Sequence, residues 1–79
     1  MYYTYVLKSL RDKKLYVGFT NNLKKRFKEH ENGLCKATKH RRPFEIKYYE
    51  EFESRKEAAK REKFFKSGKG REFLKKVIS

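Results

Sequence analysis

Tyr5, Tyr16, Arg26, His30 and Glu62 are the side chains of this sequence best suited to reaction chemistry, and each also has a plain structural reading. A phenol held near a cation that lowers its pKa can take a proton from an attacking water. Tyr5 and Tyr16 are equally the half-buried aromatics that strands favour. Arg26 offers a planar fork that suits phosphate oxygens. His30, one helical turn further on, can orient a water or protonate a leaving oxygen, although KKRFKEH is basic on several sides and also reads as a solvated face. Glu62 follows Ala58 by four residues and precedes Phe65 by three, on the apolar stripe of its helix. A carboxylate set against a core is costly unless a cation offsets it, so this placement implies either a buried ion pair with Arg or Lys or a metal ligand. A hard divalent ion asks for only a carboxylate or two when substrate phosphate supplies the other oxygens.

These side chains need a scaffold, and the sequence spells one out. YYTYVL at Tyr2–Leu7 and KLYVGFT at Lys14–Thr20 are rich in aromatic and β-branched residues on either side of a polar stretch, which predicts two hairpin-linked strands carrying Tyr5 and Tyr16. Gly18 within the second strand marks a bulge or a close backbone approach. NNLKKRFKEHENG opens on a capping Asn and closes on Gly33, the pattern of a three-turn helix in which Leu23 and Phe27 form an apolar seam with Arg26 and His30 beside it. LCKATKHRRP lacks any period and reads as a basic loop ending at Pro43. FEIKYYEEFE alternates loosely and predicts a third strand through about Phe52. Ser54 followed by Glu57 is a capping box at the start of a helix expected to stop near Gly68 or Gly70. A short final helix then carries Phe73, Leu74, Val77 and Ile78. The expected fold is α+β, a small three-stranded antiparallel sheet flanked by helices in the order β-β-α-β-α-α, with residues 1–79 forming a single domain.

Composition narrows the partner. Only 37% of the 79 residues are hydrophobic, but six Tyr and seven Phe supply bulky core material. Lys and Arg number 23 against 10 Asp and Glu, a net charge of +13 that favours unfolding by self-repulsion and points to an anionic partner, nucleic acid first. Lys24 and Lys25 on the first helix, the loop cations Lys36, Lys39, Arg41 and Arg42, and Lys66 are the expected phosphate contacts, which set affinity and not rate. No apolar run approaches the roughly 20 residues that span a bilayer, and the N-terminus is no signal peptide, so no membrane role and a soluble, cytoplasmic protein are expected. The lone Cys35 has no companion thiol and reads as incidental.

Taken in order, Tyr3-Thr4-Tyr5, Tyr16-Val17-Gly18, NNLKKR with Arg26 eight residues after Gly18, and a capped helix bearing Glu62 resemble the GIY-YIG nuclease pattern across almost the whole chain. The likeness is to the compact stand-alone bacterial members, and to the nuclease module of the bacterial excision-repair incision subunit. That resemblance implies an endonuclease hydrolysing DNA phosphodiesters, selective for structure, serving repair or recombination. It implies Mg²⁺ or Mn²⁺ on Glu62, Arg26 on the scissile phosphate, Tyr5 or Tyr16 activating water, and His30 where relatives carry Tyr or His. Tyr3 stands where the family has its first Gly, Phe19 where some members have a catalytic Lys, and Lys66 and Ser67 are the nearest polar residues to a late Asn that other members place near the metal. A protein partner supplying specificity fits so short a chain, and oligomeric state is left open. The alternative is a non-catalytic nucleic-acid-binding module in which Tyr and Arg contact bases and phosphates while Glu62 pairs with a neighbouring cation.

Overall fold

In the computed structural model, which describes residues 1–78, strand β1 (Tyr2–Ser9) lies between β2 (Leu15–Thr20) and β3 (Phe44–Phe52) in a three-stranded antiparallel sheet. Helix α1 (Leu23–Glu31) and a short 3-10 turn (Lys39–Arg41) precede β3, and α2 (Arg55–Phe65) and α3 (Gly68–Ile78) follow it. The β-β-α-β-α-α order expected of the sequence is the one observed, with the 3-10 turn added inside the basic loop. Both pairings of β1 are antiparallel, Tyr5 lying opposite Gly18 on β2 and Tyr49 on β3. Thr4, Tyr5, Val6 and Leu7 are all buried, because helices cover both faces of this central strand.

Each face has its own core. Val6 and Val17 pack with Phe65 and Leu74 from α2 and α3, with Tyr48, Phe64 and Phe73 around them. Tyr5, Leu7 and Phe44 pack on the other face, toward Tyr16, Leu23 and Phe27. The register slips between Val6 and Leu7, which face Tyr48 and Ile46, so Lys47 has no opposite number on β1. This bulge reverses the alternation of β3 and brings Ile46 and Tyr49, three apart in sequence, to the same side of the sheet.

Helix ends follow their local chemistry. The Asn22 side chain accepts from the Lys25 N–H, and Ser54 accepts from the Glu57 N–H, so both expected caps form. The stop expected near Gly68 or Gly70 comes just ahead of them, and neither glycine caps it. Helix α2 ends at Phe65, and both glycines lie in the first turn of α3, where Ser67 accepts from the Gly70 N–H. Gly70 serves close packing instead of termination: a Cβ there would sit 1.9 Å from the Phe64 carbonyl oxygen.

Two polar ties hold α2 to the sheet. The Thr4 hydroxyl donates to the Ala58 carbonyl at 2.7 Å. Arg61 donates twice to Glu50 on β3, at 2.8 and 3.2 Å, while its guanidinium covers the rings of Phe64, Phe65 and Phe73 at 4.7–5.1 Å.

Candidate active site

Tyr5 on β1, Tyr16 on β2 and His30 on α1 meet on the α1 face of the sheet. The Tyr5 hydroxyl lies 3.0 Å from His30 Nε2, and His30 Nδ1 lies 2.7 Å from the Thr38 hydroxyl. Thr38 also reaches the Cys35 carbonyl, which can only accept, so its proton goes there and its oxygen accepts from Nδ1–H. Nε2 is then bare and takes the Tyr5 O–H. His30, Thr38 and Tyr5 are all at most 1% exposed, so this chain is sealed from water. The solvated reading of the α1 basic stretch therefore does not extend to His30. Leu23, Phe27 and His30 share one helical face, and that spacing was the signal for its burial.

Gly18 makes room for the phenol. A Cβ at this position would stand 2.5 Å from the Tyr5 hydroxyl oxygen, so the close approach that the sequence marked at Gly18 is to Tyr5. Tyr16, opposite Leu7, turns its ring edge toward His30 with centroids 5.2 Å apart. Burial pushes the Tyr5 phenol up to about 12, with the Arg26 guanidinium pulling the other way. Tyr16 is raised too, first by burial and then by Cys35 and the Glu62 carboxylate, again against Arg26. Burial and the Arg26 charge both lower His30, which is a neutral imidazole at pH 7.

Arg26 projects from α1 at the rim of this chain. It bonds Glu29 at 3.1 Å and points a second nitrogen at the Cys35 sulfur, 3.8 Å away, while its charge acts on both tyrosines. Cys35 is thus no bystander. Burial opposes its ionisation, but backbone hydrogen bonding and the Arg26 charge act against burial, and its pKa is lowered. Arg26, Lys25 and Glu29 line a cleft of about 270 Å³ with Asn21, Asn22 and Phe19.

Glu62 comes from the opposite side, on α2, and its charge is felt at Tyr16. It is not pressed into the core as its place on the apolar stripe suggested. Ala58 and Phe65 are the buried residues of α2, and Glu62 borders them with its side chain 24% exposed, 3.7 Å from the exposed Lys66. The cost of a buried charge therefore does not arise, and the pair with Lys66 is the weak surface kind. Tyr16 on the edge strand β2 is thus within range of the charges of both Arg26 on α1 and Glu62 on α2.

The model of the GIY-YIG catalytic domain matches residues 1–76 of this sequence. The chain belongs to the GIY-YIG family. A UPF0213 protein of Clostridium perfringens is 48% identical over 67 residues, 84% of this chain and 71% of its own. A UPF0213 protein of Bacillus licheniformis is 46% identical over 66 residues, 82% of this chain and 67% of its own. The solution NMR structure of a UPF0213 protein from Bacillus halodurans is 32% identical, covers 98% of this chain and 85% of that one, and superposes with a TM-score of 0.58. Membership in this catalytic family brings with it a nuclease-like role and a nucleic-acid substrate.

The GIY-YIG chain offers a metal little beyond Glu62. No group of three His, Cys, Asp or Glu side chains that could hold an ion occurs among the described residues. A half-exposed carboxylate with one loose partner still suits a hard divalent cation that takes its remaining oxygens from water and phosphate. Of the expected phosphate contacts, Lys24, Lys25, Lys36, Lys39 and Lys66 are exposed. Arg42 is exposed as well, but it and the half-buried Arg41 are also tied to the protein. Arg41 bonds Asp12 at 2.8 Å and the Leu15 carbonyl, while Arg42 donates to the Lys39 and Glu31 carbonyls beyond the end of α1. Sequence reasoning missed Thr38, which carries no local signal of its contact with His30, and Glu29, whose place three residues after Arg26 on one helix was such a signal. Among the described residues no helix is long and apolar enough to cross a membrane.

Proposed function

We propose that this GIY-YIG domain is a metal-dependent endonuclease that hydrolyses DNA phosphodiesters, choosing its target by structure and not by base sequence. The observation that carries the reading is that Tyr16, edge-on to His30 of the sealed Tyr5–His30–Thr38 chain, feels the charges of both Arg26 and Glu62, which come from two different helices. Glu62 would hold Mg²⁺ or Mn²⁺, and the ion when bound would neutralise charge on the phosphate and make nearby O–H groups more acidic. Arg26, anchored by Glu29, has guanidinium edge left for a phosphate oxygen. Tyr16 is the less buried phenol and the one that feels Glu62, so its oxygen, once deprotonated, is the acceptor for the proton that water loses as it attacks phosphorus. The bond from phosphorus to the departing sugar oxygen breaks as the new one forms. Tyr5 stays protonated and is a positioning residue. Its O–H is committed to His30, whose two ring nitrogens are both engaged, so His30 fixes geometry and does not protonate the leaving group.

The exposed cations Lys24, Lys25, Lys36 and Lys39 suit phosphates, which carry no base information, and this favours selection by structure, as repair and recombination require. The Glu62–Lys66 pair favours a second reading, a binding module in which Glu62 only neutralises a lysine. Cleavage of labelled single-stranded, duplex, flap and branched DNA with Mg²⁺, Mn²⁺ or chelator separates the two. Wild type should cut only with metal, Glu62→Ala should lose cutting by about a hundredfold or more while still binding, and Tyr16→Phe should fall comparably. Full cleavage by folded Glu62→Ala sinks the metal role, and metal-indifferent binding without any cutting supports the binding module.

A further inference from the structure

Beside the candidate active site, and shared with it only through Tyr16 and Lys66, runs a groove of about 740 Å³ between the β1–β2 turn and helices α2 and α3. Lys13, Lys14, Lys66, Arg71 and Lys75 line it, all exposed, and among the described residues no Asp or Glu does. Its floor is apolar, made by Val17, Phe65 and Leu74. Lys66 on the groove wall lies 3.7 Å from the Glu62 carboxylate, so the groove passes beside that side chain.

Lys13 adds an independent observation. It has φ 63, a left-handed backbone conformation that costs a residue with a Cβ about 1 kcal/mol or more and that glycine adopts freely. Here the turn keeps a lysine where glycine would be easier, at the wall of a groove already rich in cations. Strain retained at such a position points to use of the side chain.

We propose that this groove seats an unpaired DNA strand leading away from the cut, its phosphates on Lys13, Lys14, Arg71 and Lys75 and its sugar and base faces against the apolar floor and Tyr16. A duplex shows a protein mainly phosphates, with its bases stacked inside, and would leave the floor unused. A single strand presents both surfaces, and charge with an apolar or aromatic platform is the usual combination that binds it. The groove thereby gives the nuclease reading a substrate class, a duplex with an unpaired flank, and rests on that reading for its relation to a cut but not for the binding itself.

Fluorescence anisotropy in chelator, where nothing is cut, tests it with three labelled probes: oligothymidylate, a blunt DNA hairpin, and the same hairpin with an oligothymidine tail. The tail should tighten binding to wild type. Arg71→Ala/Lys75→Ala should lose about tenfold on the tailed hairpin, with the salt slope falling by about 1.4 for two lost phosphate contacts, and should bind the blunt hairpin nearly as before. Lys13→Gly should weaken tail binding while melting no lower than wild type, so its loss cannot be laid to misfolding. The charge-matched pair Lys56→Ala/Lys60→Ala, on α2 outside the groove, should change little. An equal loss in that control pair, no benefit from the tail, or displacement of oligothymidylate by polyglutamate as readily as by itself would overturn the groove. A protein that grips the tail this way but cuts nothing with either metal overturns the nuclease reading and leaves the groove standing, whereas cutting unaffected by the groove substitutions does the reverse.

Discussion

Toward α2 and α3, β1 turns Val6 into a cluster of valine, leucine and phenylalanine in which the Phe65 and Phe73 rings stack 5.9 Å apart. Toward α1 it turns Tyr5 into a cluster as tightly buried but threaded by hydroxyl and imidazole groups, with every buried side-chain nitrogen and oxygen among the described residues partnered. The first face holds the chain together through area removed from water, which is indifferent to direction. The second spends burial on groups that must each find a partner, and what it gains is fixed atomic position. Stability and chemistry are thus divided between the two sides of a single strand.

The sharpest way to break this comparison is at its apolar side. Phe65→Ala should cost about 3–5 kcal/mol in urea denaturation, enough to leave little folded protein in a domain this small. On the polar side His30→Ala should strand the Tyr5 and Thr38 hydroxyls at about 1–3 kcal/mol each. A double-mutant cycle with Thr38→Val should return a coupling above about 0.5 kcal/mol, and strict additivity would mean the chain of bonds is not one unit. Gly18→Ala forces a methyl group against the Tyr5 oxygen and should cost about 1–3 kcal/mol while slowing cleavage more than that loss of stability explains. Smallest is the effect of pH. Folding leaves His30 less basic than its ordinary value of 6.5, so the unfolded chain binds the proton first as pH falls. Stability present above pH 6.5 should therefore drain away below it until the folded ring itself titrates, and His30→Gln should flatten that part of the profile.

Much of this was legible in the sequence because the signals were local. Asn22, Ser54 and Glu57 announce their caps by type and spacing, and the tyrosine-rich runs announce β1 and β2. The loose alternation of FEIKYYEEFE has its cause in the bulge at Lys47, which no propensity reveals. Gly70 was read as a stop because glycine often ends helices, yet its role is set by the Phe64 carbonyl across a tertiary contact. Arg41 and Arg42 were read as phosphate contacts, and their partners within the protein, Asp12 and the end of α1, lie in segments that no local pattern connects to them. The candidate site followed the same rule. Tyr5, Tyr16, Arg26 and Glu62 were visible as types in order, but only the fold brings Thr38 beneath His30 and moves Glu62 from the stripe to its margin.

Arg61 and Glu62 are neighbours that face opposite edges of the sheet. Clamped to Glu50 and laid over three phenylalanine rings, Arg61 fixes the rotation of α2 about its own axis, and with it the position from which the Glu62 charge reaches Tyr16 on the far strand. The helix is in effect a lever whose grip is on β3 and whose tip is at β2. Lysine at position 61 would keep the charge but give up the two-pronged hold, and a few degrees of roll there would mis-aim a carboxylate that the substitution never touches.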